Sequence, residues 1–210
     1  AGTGLFGFDP LPANDGAYEV TASKALIDLT GAVLCHSDPQ APALAYRLLL
    51  RHQHDRRALS NPADPLTQRL RRMEKSVRRD IHKMHAFVRF RELPTEGLRR
   101  SFAAWFEPQH FITERAAGFF AVRFADMDWL IATPEMTVTF RDCVLGFGPA
   151  PQQRPDLPDD ASEALWAPYF RNIFNPARVK ISAMKSEMPV KYWKNLPETR
   201  LIQQMLAEAD

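Results

Sequence analysis

The sequence predicts an α+β fold, and three observations predict it. Apolar residues recur at helical spacing in successive segments as far as Met84. The period then changes to two over Phe87–Arg91, where helix gives way to strand. Two alternating runs further on, Trp129–Thr133 and Met136–Phe140, are joined only by Pro134-Glu135, which is a hairpin pattern. Helical segments, then a small antiparallel sheet with packed helices, then C-terminal helices make an α+β architecture.

The elements follow in order. Residues 22–34 place Ala25, Leu26, Leu29, Val33 and Leu34 near helical spacing, with Thr21 or Ser23 as the cap. Ser37-Asp38-Pro39 ends that helix or starts the next. Residues 40–55 form a second helix, apolar at Leu44, Leu48 and Leu49 and polar at Arg47, Arg51 and His54. Asn61-Pro62 and Asp64-Pro65 interrupt the pattern. Asp64 then caps a long third helix, with Pro65 at its first position. Leu66, Leu70, Met73, Val77, Ile81 and Met84 form its apolar stripe. A first strand is expected over 87–91, with Val88 and Phe90 on one face and Phe87, Arg89 and Arg91 on the other. A second is expected over 102–107. Thr113–Phe124 is amphipathic and helical, and the hairpin follows. Residues 149–160 are rich in proline and acid, hence a loop. Ala161–Phe174 is a further helix, apolar at Leu165, Trp166, Tyr169, Phe170 and Ile173. Asn175–Glu198 is basic and aromatic.

At 210 residues the chain fits one generous domain, or one with an extra helical subdomain. Residues 1–20 read as a linker-like segment, since Gly2, Gly4 and Gly7 follow Ala1 at once. Residues 21–210 read as one α+β domain: a helical part (21–86), a sheet-containing part (87–148), the acidic loop (149–160) and a basic, helical C-terminal part (161–210). Cys35 and Cys143 lie far apart with no CxxC spacing, so neither a disulfide framework nor a zinc module is expected. No apolar run is long enough to span a membrane, and a cytoplasmic location is the expectation.

Net charge is only +2, but it is segregated. Residues 47–100 carry fifteen Lys and Arg against six Asp and Glu, whereas residues 101–164 carry four against ten. Local charge of this kind governs encounters with polyanions. On the third helix Arg71, Lys75, Arg78 and His82 step by 4-3-4, so they share one flank, with Arg79 and Lys83 beside them. Guanidinium groups in a row can track a phosphate backbone without choosing a sequence. The alternative is a solvated face folded over by acids. Arg89 and Arg91 continue the basic run into the first strand.

A second basic stretch interleaves cations with rings: Lys191, Tyr192, Trp193, Lys194 and Asn195. Cations that hold phosphate and rings that stack on bases suit single strands. The alternative is that Tyr192 and Trp193 anchor the segment in the core. Glu107 and His110, just past the second strand, are the candidate acid/base pair; Glu92 lies nearby if the two strands pair suitably. The alternative is a capped turn with a hydrogen-bonded histidine. His82 and His85 are three apart on a helix, but two ligands in basic surroundings make a poor cation site, and no metal or cofactor is expected. Gly146-Phe147-Gly148 is too short for a phosphate loop.

Several motifs in order carry a family resemblance. His82-Lys83-Met84-His85-Ala86-Phe87-Val88-Arg89-Phe90-Arg91-Glu92 is the central one, followed by Trp105-Phe106-Glu107-Pro108-Gln109-His110, Phe120–Phe124, Trp129–Thr133, Leu165–Phe170 and Pro189–Glu198. The chain thereby resembles, over roughly residues 20–206, a bacterial domain of unknown function described as a probable DNA-metabolism protein. The resemblance implies occurrence beside a radical-SAM protein of DNA repair, or fusion ahead of an X-type uracil-DNA-glycosylase-like domain. Leu201–Asp210 is where such a fused domain would begin. Glycosylase chemistry would then belong to the fused domain, and no catalytic residue is implied for this one. Family members often carry Gly-Glu just before the central motif, where this chain has Arg79-Asp80.

The expected function is therefore a DNA-binding accessory domain of a uracil-repair protein, with single-stranded or uracil-containing DNA among its ligands. An enzyme acting on DNA or nucleotides through Glu107 and His110 is the first alternative. A scaffold docking the glycosylase-like domain or the radical-SAM protein is the second.

Overall fold

The computed structural model describes residues 22–61, 63–95, 99–155, 185 and 188–193. The linker-like segment, the expected helix at 161–174, the end of the acidic loop, Lys194, Asn195 and Leu201–Asp210 lie outside them. The helices are α1 (Lys24–Leu34), α2 (Ala41–His54), α3 (Pro65–Phe87), α4 (Thr113–Arg123) and a single turn, α5 (Val190–Trp193), with a short 3-10 turn at Ala58–Ser60. The strands are β1 (Arg91–Leu93), β2 (Ser101–Trp105), β3 (Asp128–Ala132), β4 (Met136–Arg141) and β5 (Val144–Pro149). The fold is α+β, as the periodicity predicts.

The helix starts follow local chemistry. Ser23 accepts the Leu26 amide at 3.3 Å, and Asp64 accepts the Thr67 amide at 2.8 Å, each satisfying a donor that the first turn leaves open. Asp64 also takes Arg51 Nη1 at 2.6 Å, which ties α2 to α3. These contacts, the Thr67 hydrogen bond foremost, hold its carboxyl below the usual range.

The expected strand at 87–91 is corrected. Helix continues to Phe87 and strand starts only at Arg91. β1 pairs with β2 through Arg91↔Ala103, Glu92↔Phe102 and Leu93↔Ser101. Residues 88–90 connect helix to strand, yet keep the expected alternation: Val88 is buried and Phe90 packs on the core. Arg89 Nη1 donates to the Ala86 carbonyl at 2.8 Å, a cation closing a helix C-terminus.

The sheet runs β1-β2-β3-β4-β5. It is antiparallel except at its centre, where β2 and β3 are parallel. That one pair departs from the expected antiparallel sheet because α4 carries the chain back to the starting end between β2 and β3, as a parallel pair requires. β5 is the strand that sequence patterning missed, and it contains Gly146-Phe147-Gly148. The turn into it holds Asp142 at φ 49° and Cys143 at φ 64°, as a two-residue hairpin turn demands. Opposite Thr139, a side chain at Gly146 would meet Thr139 Oγ1 at 2.8 Å, so glycine alone fits.

Among the described residues two hydrophobic clusters result. Leu26, Leu29, Val33, Leu44, Leu48, Leu70 and Met73 pack the three N-terminal helices together. Val77, Met84, Phe106, Phe120, Trp129 and Phe140 join α3 to α4 and the sheet. α3 crosses from one to the other.

Candidate functional site

The exposed flank of α3 is the first half of the site. Arg71, Arg72, Lys75, Arg78, Arg79 and His82 are all exposed, and Lys83 is half-buried beside them. The 4-3-4 spacing thus becomes a basic stripe spanning about 18 Å at 1.5 Å per residue. Arg71 Nη2 donates to the Leu59 carbonyl at 3.1 Å. Among the described residues no carboxylate pairs with Lys75, Arg78 or Arg79. Arg89 and Arg91 are half-buried at the helix end and in β1.

The second half is a buried polar hub on a different stripe of α3. Asp80 is 4% exposed in an otherwise apolar row with Met73, Val77 and Met84. Its Oδ2 accepts the backbone amides of Gln109 at 2.7 Å and His110 at 2.9 Å. Its Oδ1 accepts the Tyr192 hydroxyl at 3.0 Å. One carboxylate therefore fastens the β2–α4 loop and the C-terminal turn to α3. Buried donors left open are costly, which explains why a charged residue stands in this row.

His110 lies beside that loop. The Ser37 amide donates to its Nδ1 at 3.3 Å, and Ser37 Oγ is 3.0 Å from the same nitrogen. Nδ1 is thus an acceptor, so the neutral ring carries its proton on Nε2 and donates to Ser76 Oγ at 2.8 Å. The His36 ring lies against it, with centroids 4.2 Å apart. Burial, helped by His36, pushes the His110 pKa below its ordinary value. With 3% exposure and both nitrogens engaged, this histidine is built as a structural tie, the alternative reading of Glu107-Pro108-Gln109-His110. Glu107 is half-buried nearby. Glu92 is at the other end of β2, paired with Arg100 at 2.8 Å, because the antiparallel register sets it opposite Phe102. The expected neighbourhood of Glu92 and Glu107 is corrected accordingly.

Tyr192 and Trp193 are placed in the core rather than toward a ligand. Tyr192 is 1% exposed. Its ring is stacked on Phe106, with centroids 5.2 Å apart, and tilted against Phe87 at 5.5 Å. Burial and the Asp80 charge raise its pKa. Trp193 Nε1 donates to the Met188 carbonyl at 2.9 Å. No ring face of Tyr192 is left for stacking on a base. Lys191 is exposed, with its Nζ 4.6 Å from the Tyr192 centroid.

His82 and His85 diverge: His82 faces solvent, while the His85 ring stacks on Phe119 at 4.0 Å. Among the described residues no three His, Cys, Asp or Glu side chains form a metal-ligand group. Cys35 and Cys143 are both free thiols, and burial raises Cys35 above its ordinary pKa. No described helix is long and apolar enough to cross a membrane.

Sequence reasoning missed Asp80, Ser76, Ser37 and His36. The signal for Asp80 was present: positions 73, 77, 80 and 84 keep the 4-3-4 apolar spacing, and a carboxylate occupies one of them.

The fold and site define an α+β domain whose longest described helix is basic outside and bound through a carboxylate inside. A family model described as a domain of unknown function, DUF4130, matches residues 39–198, and the chain belongs to that family. No curated protein and no solved structure matched it.

Proposed function

We propose that this domain binds DNA through its phosphate backbone, as an accessory domain of a bacterial, cytoplasmic uracil-DNA-repair protein. The observation that carries the reading is the exposed flank of α3. Lys75 is four residues from Arg71 and Arg79 and three from Arg78, and all four are exposed together. Like charges at these spacings destabilise a helix by about 0.2–0.5 kcal/mol per pair. Glu74 stands three residues after Arg71 and four before Arg78 and offsets part of that strain, but Lys75 keeps like charges four residues away at Arg71 and Arg79 and three away at Arg78. Retaining such repulsion fits a surface whose partner is a polyanion. The stripe is about 18 Å long, or roughly five base pairs at 3.4 Å each. The repair context, with a fused glycosylase-like domain or a radical-SAM partner, is supported by the motif resemblance.

The test is a fluorescence-anisotropy titration with single- and double-stranded oligonucleotides, with and without uracil, across a salt series. The expected result is tight binding at low salt, with log K falling linearly against log salt. Changing Arg71, Lys75 and Arg78 together to Glu should abolish it. Unaltered affinity in that variant would sink the proposal.

A docking scaffold is the second reading, favoured by the outer face of α4. Phe119 is 43% exposed and Val122 is 84% exposed there, and exposed apolar residues side by side suit a protein partner. Binding of the partner domain that is lost on Phe119→Ser and indifferent to salt would support it.

A further inference from the structure

Building on the reading of α3 as a phosphate-tracking helix, we propose that Lys83 and Lys191 form one phosphate seat at its C-terminal end, positioned by the Asp80–Tyr192 hydrogen bond. The two lysines are far apart in the chain, and neither basic segment alone shows that they belong to one site.

The geometry assembles as follows. Asp80 and Lys83 are three residues apart, hence neighbours on α3. The Tyr192 hydroxyl donates to Asp80 Oδ1 at 3.0 Å. Phe106 and Phe87 hold the same ring from its sides. Tyr192 is thereby fixed against α3 by both its polar tip and its faces. Lys191 immediately precedes it, with its ammonium 4.6 Å from the ring centroid, a cation–π distance. A flexible lysine is in this way tethered over a rigid platform, and the entropy lost on binding an anion is reduced.

The charges that act on Lys191 are Lys83 on one side and Asp80 and Glu107 on the other. Burial first, and the Lys83 charge as well, pull Lys191 below its ordinary pKa, while Asp80 and Glu107 act in the opposite direction. Lys191 also lowers the His110 pKa. Asp80 is occupied: two amides and the Tyr192 hydroxyl already take its oxygens. Glu107 is the acid with which a phosphate must compete. A doubly hydrogen-bonding phosphate oxygen pair bridging two ammonium groups relieves their mutual repulsion, which a single carboxylate at the edge does only in part. The seat extends the α3 stripe beyond Arg79 and gives Tyr192 a positioning role in place of base stacking.

The experiment uses the full chain, a short duplex oligonucleotide and a potassium chloride series read by anisotropy. Lys191→Gln should reduce the magnitude of the salt slope by about 0.9, the loss of one phosphate contact. Tyr192→Phe removes only the hydroxyl and should reduce the slope by a similar amount. The double variant should match Lys191→Gln alone, because Tyr192 acts through Lys191. Full additivity of the two would overturn the positioning role. An unchanged slope in Lys191→Gln, with a reduced slope in Lys75→Glu, would overturn the seat while leaving the α3 reading intact. No change in either would remove the α3 reading itself. Lys191 is a surface position, so its variant decides the seat even where Tyr192→Phe unfolds the domain.

Discussion

The two halves of α3 pack into different cores. Its N-terminal half sets Leu70 and Met73 among Leu26, Leu29, Val33, Leu44 and Leu48, an aliphatic cluster built by helices adjacent in the chain. Its C-terminal half sets Val77 and Met84 among Phe106, Phe120, Trp129, Phe140 and Tyr192, which come from widely separated segments. Local helices need only complementary stripes to find each other. Distant segments need directional contacts as well, and the Asp80 and His110 hydrogen bonds lie on that side or at the seam. The contrast shows why one helix carries a clean apolar stripe along its whole length and a buried acid only past its midpoint.

The largest expected effect is on the aromatic side. Phe120 touches Phe90, Phe124, Trp129, His85 and Phe119, so Phe120→Ala should lower stability by about 3–5 kcal/mol. Leu70→Ala on the aliphatic side should cost about 2–5 kcal/mol. Urea denaturation of both compares the cores, and a smaller loss for Phe120→Ala would break the contrast.

Next is the hub. Asp80→Ala leaves the buried His110 amide, the partly buried Gln109 amide and the Tyr192 hydroxyl without their acceptor, at roughly 1–3 kcal/mol for each buried group left unsatisfied. A total loss of about 3 kcal/mol or more is expected, with partial recovery in Asp80→Asn, which keeps one acceptor oxygen. A loss below about 1 kcal/mol would mean that the hub does not hold the seam.

The pH dependence is smaller and has a definite sign. Burial depresses the pKa of both His85 and His110. The unfolded chain then takes up protons below about pH 6.5 while the folded one does not. Their contribution is complete above that pH and declines as pH falls toward the folded values. The melting temperature should therefore fall between about pH 7.5 and 5.5, and less so in His85→Phe. Equal falls in the two proteins would contradict the account of His85.

The smallest effect is at the rim. Glu92 and Arg100 are both largely exposed, and such pairs contribute little. Glu92→Gln should leave the melting temperature unchanged within error, and a clear drop would show that β1 depends on the pair.

Legibility followed the same division. α1, α2 and α3 were readable because their apolar spacing, Ser23 and Asp64-Pro65 are local signals. The β3–β4 hairpin was readable from alternation across Pro134-Glu135. β5 was not, because its turn uses Asp142-Cys143 at positive φ without the Asn-Gly or Asp-Gly that marks such turns. Alternation from Phe87 reads as strand, but among the described residues pairing begins only at Arg91. The parallel β2–β3 pair is a property of topology and leaves no periodic trace. On the surface, the α3 flank was visible as spacing. Core anchoring of Tyr192 stands in the sequence only as the alternative to base stacking, and its partner Asp80, more than a hundred residues away, leaves no local signal.

On the proposed function, α3 keeps its exposed flank for a polyanion at some expense to its own stability. The most direct measurement is the melting temperature and the DNA affinity of Lys75→Glu, taken together. A glutamate there stands four residues after Arg71 and three before Arg78, replacing repulsion by attraction. An equal or higher melting temperature and a clearly weaker, less salt-dependent affinity are expected. Unchanged affinity, or a fall in both, would contradict the proposed function.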